Sequence, residues 1–172
     1  MDTPPIDPAA AALAVLDELG IAYTRYDHPP VFTVEQAVEH WRGIDAAHCK
    51  NLFLRNKKGN RHYLVVAEHT RPVDLRRVAE VVDDDKLSFG SPERLARCLG
   101  LTPGAVSPLG LINDTAREVR VVIDADLRNH THVGFHPNTN TATVVMTVAD
   151  FARFLEWSGQ SVQWERLSPT PP

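Results

Sequence analysis

A chain of 172 residues and 19.1 kDa, 43% hydrophobic and 23% charged, is long enough to bury one good core and too short for two ordinary domains. Its two cysteines, Cys49 and Cys98, fall in no disulfide or metal spacing, and the sequence has neither an apolar leader nor an apolar run of membrane-spanning length, so a soluble cytoplasmic protein with no membrane partner is expected. The net charge of -4 excludes a surface coated in cations to grip DNA.

Residues 1–8 and 168–172, rich in proline, read as loose tails around a single domain, 9–167. Ala9 to Leu19 favours helix and Gly20 supplies its stop, after which Ile21 to Tyr26 alternates like a strand. A second helix is expected from Thr33, with Glu35 and Glu39 near its positive end, and Asp45 can cap a short third one ending near Lys50. That helix would place Lys50 at a helix-to-strand junction. Leu52 to Asn56 and His62 to Ala67 read as a hairpin turning on Gly59 and Asn60. Asp74 opens a helix through Val82, and Ser91-Pro92 opens another that Gly100 closes. Glu118 to Ile123, Val133 to His136 and Thr141 to Met146 are the next strands. Thr147-Val-Ala-Asp150 resembles a capping box for a helix to Trp157, and Ser161 to Arg166 forms a last strand. The pattern is α+β, with a mixed, largely antiparallel sheet.

Charge is unevenly spread: residues 1–41 carry a net -6, residues 42–77 a net +6 and residues 78–172 a net -4. From charge alone such a basic middle reads first as a solvated hairpin with ordinary surface lysines, and second as a phosphate-contacting face on an acidic protein. Arg55, Lys57, Lys58 and Arg61 are the candidate RNA contacts within it. The sequence contains no P-loop and no dinucleotide-binding glycine fingerprint, so ATP- and NAD-driven chemistry lacks support and no cofactor is expected.

Lys50 is the first candidate for chemistry, because a partly buried ammonium at the start of a strand can stabilise negative charge as it develops on oxygen. Cys49 beside it reads as a small buried hydrophobe. Gly104, Ala105, Val106, Ser107 and Pro108 form a glycine- and proline-bearing loop whose backbone N–H groups can face a ligand oxygen. Ser107 lacks a Gly-x-Ser-x-Gly context and is read as a backbone or hydroxyl contact rather than a nucleophile. His130, His132 and His136 share one strand parity, but their spacing matches no standard ligand motif, so no metal site is expected. His136 can donate to a carbonyl or orient a water near neutral pH. His28, followed by two prolines, is either a pocket rim or part of a rigid turn.

These segments taken together resemble the YbaK/prolyl-tRNA-editing-domain family. The resemblance rests on His28-Pro-Pro-Val-Phe-Thr33, Lys50-Asn-Leu-Phe-Leu-Arg-Asn56, Arg61-His-Tyr-Leu-Val-Val-Ala67, Lys86-Leu-Ser-Phe89, the Gly104 to Pro108 loop with Gly110, Leu111-Ile-Asn113-Asp, and Phe135-His136-Pro to Val144. It covers nearly the whole chain and is strongest toward free-standing members that deacylate alanyl-tRNA made in error on the tRNA for proline. The resemblance implies a sheet wrapped into a partial barrel with surrounding helices, and a pocket for the 3′-terminal adenosine and its aminoacyl ester. It further implies a functional lysine at Lys50, a loop at Gly104 to Pro108 touching the aminoacyl end, and His136 at the pocket, with His28, Thr33 and Asn51 at its rim. Metal-free hydrolysis by an activated water follows from the same resemblance. The implied partner is mischarged tRNA through its acceptor stem, with prolyl-tRNA synthetase admitted as a second. Cysteinyl- or seryl-tRNA as substrate, and a non-catalytic tRNA-binding module, remain the alternatives.

Overall fold

The computed structural model describes residues 7–169; of the tails expected at 1–8 and 168–172, residues 1–6 and 170–172 lie outside them, and Asp7 and Pro8 belong to the start of the first helix. In chain order the elements are α1 (Pro8–Glu18), β1 (Thr24–Asp27), α2 (Val34–Trp41), β2 (Ala47–Arg55), β3 (His62–Glu68), α3 (Leu75–Val81), β4 (Ser88–Phe89) and α4 (Pro92–Leu99). A 3₁₀ helix (Pro108–Asn113), β5 (Val119–Asp124), a second 3₁₀ helix (Ala125–Asn129), β6 (His132–Phe135), β7 (Ala142–Thr147), α5 (Val148–Ser158) and β8 (Val162–Glu165) complete it. The strands form one sheet in the order β1-β7-β6-β2-β3-β5-β8, with β4 joined to β2. Since β1 and β8 end the order without meeting, the curved sheet is unclosed, as a partial barrel requires. Four of its seven pairings are antiparallel and three parallel.

Local chemistry explains the helix starts. Thr33, Asp74, Ser91 and Thr147 each accept a bond from a backbone N–H of the first turn, satisfying donors the helix leaves orphaned. Gly100 and Gly159 end α4 and α5 in the left-handed conformation, at φ 65° and 75°, which side chains resist. Asp7 caps α1, with Pro8 as its first residue, so the helix starts slightly earlier than the sequence suggests.

The short helix expected from Asp45 to Lys50 is absent. Gly43 turns the chain at φ 79°, the stretch that remains is too short to nucleate a helix, and two ladders claim its backbone. Ala47 and His48 pair with β6, while Cys49 onward pairs with β3. Lys50 therefore lies inside β2. The first strand also shifts: Ile21 turns into the core, its N–H bonded to Leu16 C=O at 2.9 Å, and β1 follows as an exposed edge.

Alternation along β2 sorts its side chains between two cores. Cys49 and Phe53 join Leu64, Val66, Val121 and Ile123 under α1, α4 and α5, which contribute Leu13, Leu16, Leu95, Leu99, Phe151 and Phe154. Leu54 joins Tyr63, Val65 and Val122 on the other face, under Val78 and Val82. A third, small cluster of Val31, Ala37 and Trp41 sets α2 beside β2. Each fully buried large side chain contributes about 1.5–3 kcal/mol by leaving water, so the sheet is a rigid platform.

Candidate active site

The edge of β2 away from β3 is covered at both ends and open between them. β6 pairs with Ala47 and His48, and β4 with Leu54 and Arg55; among the described residues no strand pairs with this edge across the residues between. On that edge Phe53 C=O accepts from Gly90 N–H at 2.9 Å. The two-residue alternation of a strand turns the backbone of Asn51 to the same side. A cleft of about 220 Å3 occupies the gap, lined by Cys49, Lys50, Asn51 and Leu52 from β2, Val31 to Val34 with Ala37 and Trp41 around α2, Gly104 and Val106 from the loop, and His136.

Lys50 is half-buried and makes no ion pair among the described residues. Burial lowers its ionisation from the ordinary lysine range, and the charge of Asp124 opposes that. The Asn51 side-chain oxygen is buried without a partner, which marks a polar group available to a ligand. His136 follows β6, and its Nδ1–H donates to Ala142 C=O at 2.8 Å. That bond fixes the tautomer and leaves Nε2 as the ring nitrogen able to meet a ligand. Burial pushes His136 below the usual histidine range, with the neighbouring His28 adding to the effect, so the ring is neutral at pH 7.

His28 stands behind the cleft rather than in its wall. Its Nδ1–H donates to Pro29 C=O at 2.9 Å, and its Nε2 meets Thr143 Oγ1 at 3.0 Å. Trp41 Nε1–H donates to the same hydroxyl at 3.1 Å. The His28 ring stacks on His40 with centroids 5.0 Å apart and lies 5.8 Å from that of His136. Thr33 caps α2 and lines the cleft.

The loop divides sharply. Gly104, at φ 87°, and Val106 reach the cleft. Ala105, Ser107 and Pro108 are buried away from it: Ala105 N–H is taken by Thr102 C=O at 3.0 Å, and Ser107 Oγ accepts from Leu109 N–H at 3.1 Å as the cap of the 3₁₀ helix that Pro108 begins. Those three residues hold the loop rather than line the cleft. Cys49 is fully inside the core, its thiol driven well up by burial, and its Sγ–H meets Ala47 C=O at 3.4 Å; it is no nucleophile.

A second cleft continues from the first along β2. It shares Asn51, Leu52, Gly104 and Val106 and adds Phe53, Phe89, Gly90, Pro92, Leu95 and Pro103. Phe32 and Phe89, exposed by 70% and 63%, stand over the two clefts. Beyond lies the basic turn. Lys57 and Lys58 are exposed, Arg61 pairs loosely with Asp84 at 3.8 Å, and Arg55 is half-buried beside Gly59 and Arg94. Phe32, Trp41, Leu52 and Phe89 were not singled out from the sequence, where an isolated apolar side chain gives no sign of whether it enters a core or a cleft. The three histidines of common parity do not converge: His130 pairs with Glu68 at 3.4 Å, His132 is exposed at the head of β6, and His136 faces the cleft. Among the described residues no group of three His, Cys, Asp or Glu side chains is arranged to hold a metal, and no helix is long and apolar enough to cross a membrane.

A lysine without an ion pair among the described residues, a histidine with one ring nitrogen left over and an unpaired amide oxygen gather at one open strand edge, an arrangement able to polarise a carbonyl group. The family model for the aminoacyl-tRNA editing domain matches residues 28–154, and the chain belongs to that family. It is 42% identical over 160 residues to the prolyl-tRNA editing protein ProX of Acetoanaerobium sticklandii, covering 91% of this chain and 95% of that protein. To the prolyl-tRNA synthetase associated domain-containing protein 1 of Danio rerio it is 38% identical, over 88% of this chain and 83% of the other. In fold it is similar to a solved structure provisionally assigned as a trans-editing enzyme for prolyl tRNA synthetase, with a TM-score of 0.72 at 20% identity, covering 99% of this chain and all of that one.

Proposed function

We propose that this protein hydrolyses alanyl-tRNA formed in error on the tRNA for proline, acting in trans and sparing prolyl-tRNA. The observation that carries the reading is the convergence of Lys50, His136, Gly104 and Val106 on one small, largely apolar cleft at the open edge of β2. A synthetase pocket sized for proline excludes a smaller side chain by only about 1–3 kcal/mol, so a second site that admits small acyl groups and rejects larger ones supplies the missing discrimination. Apolar walls from Val31, Phe32, Ala37, Trp41 and Val106 suit a methyl side chain.

In this mechanism the Lys50 ammonium faces the ester carbonyl oxygen and stabilises the charge that gathers there. His136 Nε2, with its lone pair exposed by the Nδ1–H bond to Ala142, accepts a proton-bearing group, either the attacking water or the free ribose hydroxyl beside the ester. Water adds to the carbonyl carbon, the bond to the ribose oxygen breaks, and that oxygen leaves with a proton. Lys50 provides the positive field that a metal provides in other hydrolases, so activity is expected to survive exhaustive chelation.

The RNA path is read from the same strand. From Lys50 to Arg55 β2 advances roughly 17 Å, a distance of a few unpaired nucleotides. The second cleft and Phe89 accompany the 3′ end over that span, and the basic turn at Lys57 and Lys58 meets phosphates. Docking on prolyl-tRNA synthetase would bring the deacylase to freshly charged tRNA, and co-purification of the two tests it.

The deciding experiment is metal-free deacylation of alanyl-tRNA for proline beside prolyl-, cysteinyl- and seryl-tRNA. Rapid loss of alanine with proline retained is expected. Preference for cysteine or serine would reassign the substrate, and binding without turnover would overturn the enzymatic reading.

A further inference from the structure

Lys50 lines the cleft, while the registers of the sheet place a buried carboxylate behind it. Lys50 stands opposite Ala67 on β3. The pairing of β3 with β5 sets Val66 opposite Ile123, and one step further along the same register Ala67 lies beside Asp124. Lys50, Ala67 and Asp124 thus share a row on one face of the sheet, and Glu165 extends it on β8. Lys50 and Asp124 are two strand spacings apart, roughly 10 Å. A lysine stem and an aspartate side chain bridge such a distance from opposite sides, and Ala67, with its single methyl, is the residue between them in the row.

Asp124 is 1% exposed. Its Oδ1 accepts from Asp126 N–H at 3.1 Å, and its Oδ2 is buried with no partner. A buried carboxylate oxygen left alone is costly. Two other acids nearby have partners: Asp126 takes Arg71 at 2.5 Å and Arg166 at 4.0 Å, and Glu68 lies 3.4 Å from His130. Lys50 is the cation of the row with no ion pair, and Asp124 Oδ2 is the anion's free atom.

We propose that Asp124 is the positioning residue of Lys50: its Oδ2 draws the ammonium across Ala67, fixing where the positive charge stands before an ester arrives and keeping it charged. The shift of Lys50 carries the mark of this neighbour. Burial lowers Lys50 while Asp124 raises it. Burial raises Asp124, opposed first by the bond from Asp126 N–H and then by the charges of Arg71 and Arg166, while the charge of Asp126 adds to the rise. Asp124 need not touch the substrate; it acts through Lys50. The kinetic part of this inference rests on the deacylase reading, whereas the coupling of the two side chains does not.

The test is an NMR titration of the Lys50 side chain without substrate, in the wild type and in Asp124→Asn, Ala67→Val and Glu165→Gln. In Asp124→Asn the amide oxygen can still accept the Asp126 N–H, so the cap is kept while the charge is lost. The Lys50 midpoint is expected to fall by about one pH unit, a tenfold change in its ionisation. The alkaline limb of kcat for deacylation should move by the same amount, with KM nearly unchanged. Ala67→Val, which crowds the row and leaves Asp124 in place, should lower the midpoint in the same sense, and Glu165→Gln should not move it. A Lys50 midpoint unchanged in both Asp124→Asn and Ala67→Val would overturn the proposal, whatever happened to the rate. A wild type in which Lys50 and Asp124 are coupled but no ester is cleaved would sink the deacylase reading alone.

Discussion

The cleft between α3 and the segment ahead of β4 holds about 640 Å3, against about 220 Å3 for the cleft at the edge of β2. Its walls are rich in charge: Arg76, Glu80, Asp84, Asp85 and Lys86. Most of those charges are already engaged. Glu80 meets Arg77 at 3.4 Å, Asp84 accepts the Tyr63 hydroxyl at 2.5 Å, and Asp85 accepts Lys57 N–H at 3.2 Å. The smaller cleft has few polar groups, but among the described residues Lys50 has no ion pair, the Asn51 oxygen no partner and His136 Nε2 no bond. Volume does not mark a site; polar groups kept unsatisfied by a rigid frame do, because only they gain from a ligand.

The comparison can be broken most directly by removing one lysine from each cleft. Lys50→Ala should lower deacylation by about 10²- to 10³-fold, the usual effect of losing one oxyanion-stabilising group, with the thermal unfolding midpoint nearly unchanged. Lys86→Ala should leave the rate alone. Equal rates in wild type and Lys50→Ala would end the assignment.

The extended groove makes a second contrast. Phe89→Ala should weaken KM for aminoacyl-tRNA by the equivalent of about 1–3 kcal/mol, the value of one stacked base. Its effect on an aminoacyl-adenosine, which lacks the preceding nucleotides, should be near zero. A matching loss on both substrates would place Phe89 in the acyl pocket instead.

Acid provides a third test, of stability rather than rate. His48 and His136 are both held below the ordinary histidine range by burial, whereas in the unfolded chain they protonate near pH 6.5. The unfolded state then binds more protons as pH falls, so stability is full above about pH 6.5 and declines from there toward the folded values. Replacing His48 with Gln should flatten that decline. A melting temperature flat from pH 7.5 to 5 would contradict it.

The smallest effect belongs to the basic turn. Charge reversal at Lys57 and Lys58 should reduce the salt dependence of tRNA binding by about one to two in slope while leaving kcat unchanged. An unaltered slope would move the phosphate-contacting face elsewhere.

Much of this protein was legible in the sequence. Thr33, Asp74, Ser91 and Thr147 announce helix starts because a short polar side chain meets backbone donors within its own turn. Gly100 and Gly159 announce ends because a positive φ costs them little. The hairpin of β2 and β3 shows in the same local terms, with Asn56 Oδ1 accepting from Asn60 and Arg61 N–H at 3.1 Å. Lys50, His136 and Gly104 could be named as candidates because their residue types and company restrict their chemistry. The tertiary structure alone decided that Lys50 lies inside a strand, since the ladder to β3 outweighs a weak local cap. It also separated Gly104 and Val106, which reach the cleft, from Ala105, Ser107 and Pro108, which brace the loop. Asp124 shows the limit most clearly. Nothing around it in the chain distinguishes it from an acid at the surface, and it reaches the Lys50 row only through the registers of three strands, a relation between segments far apart in sequence.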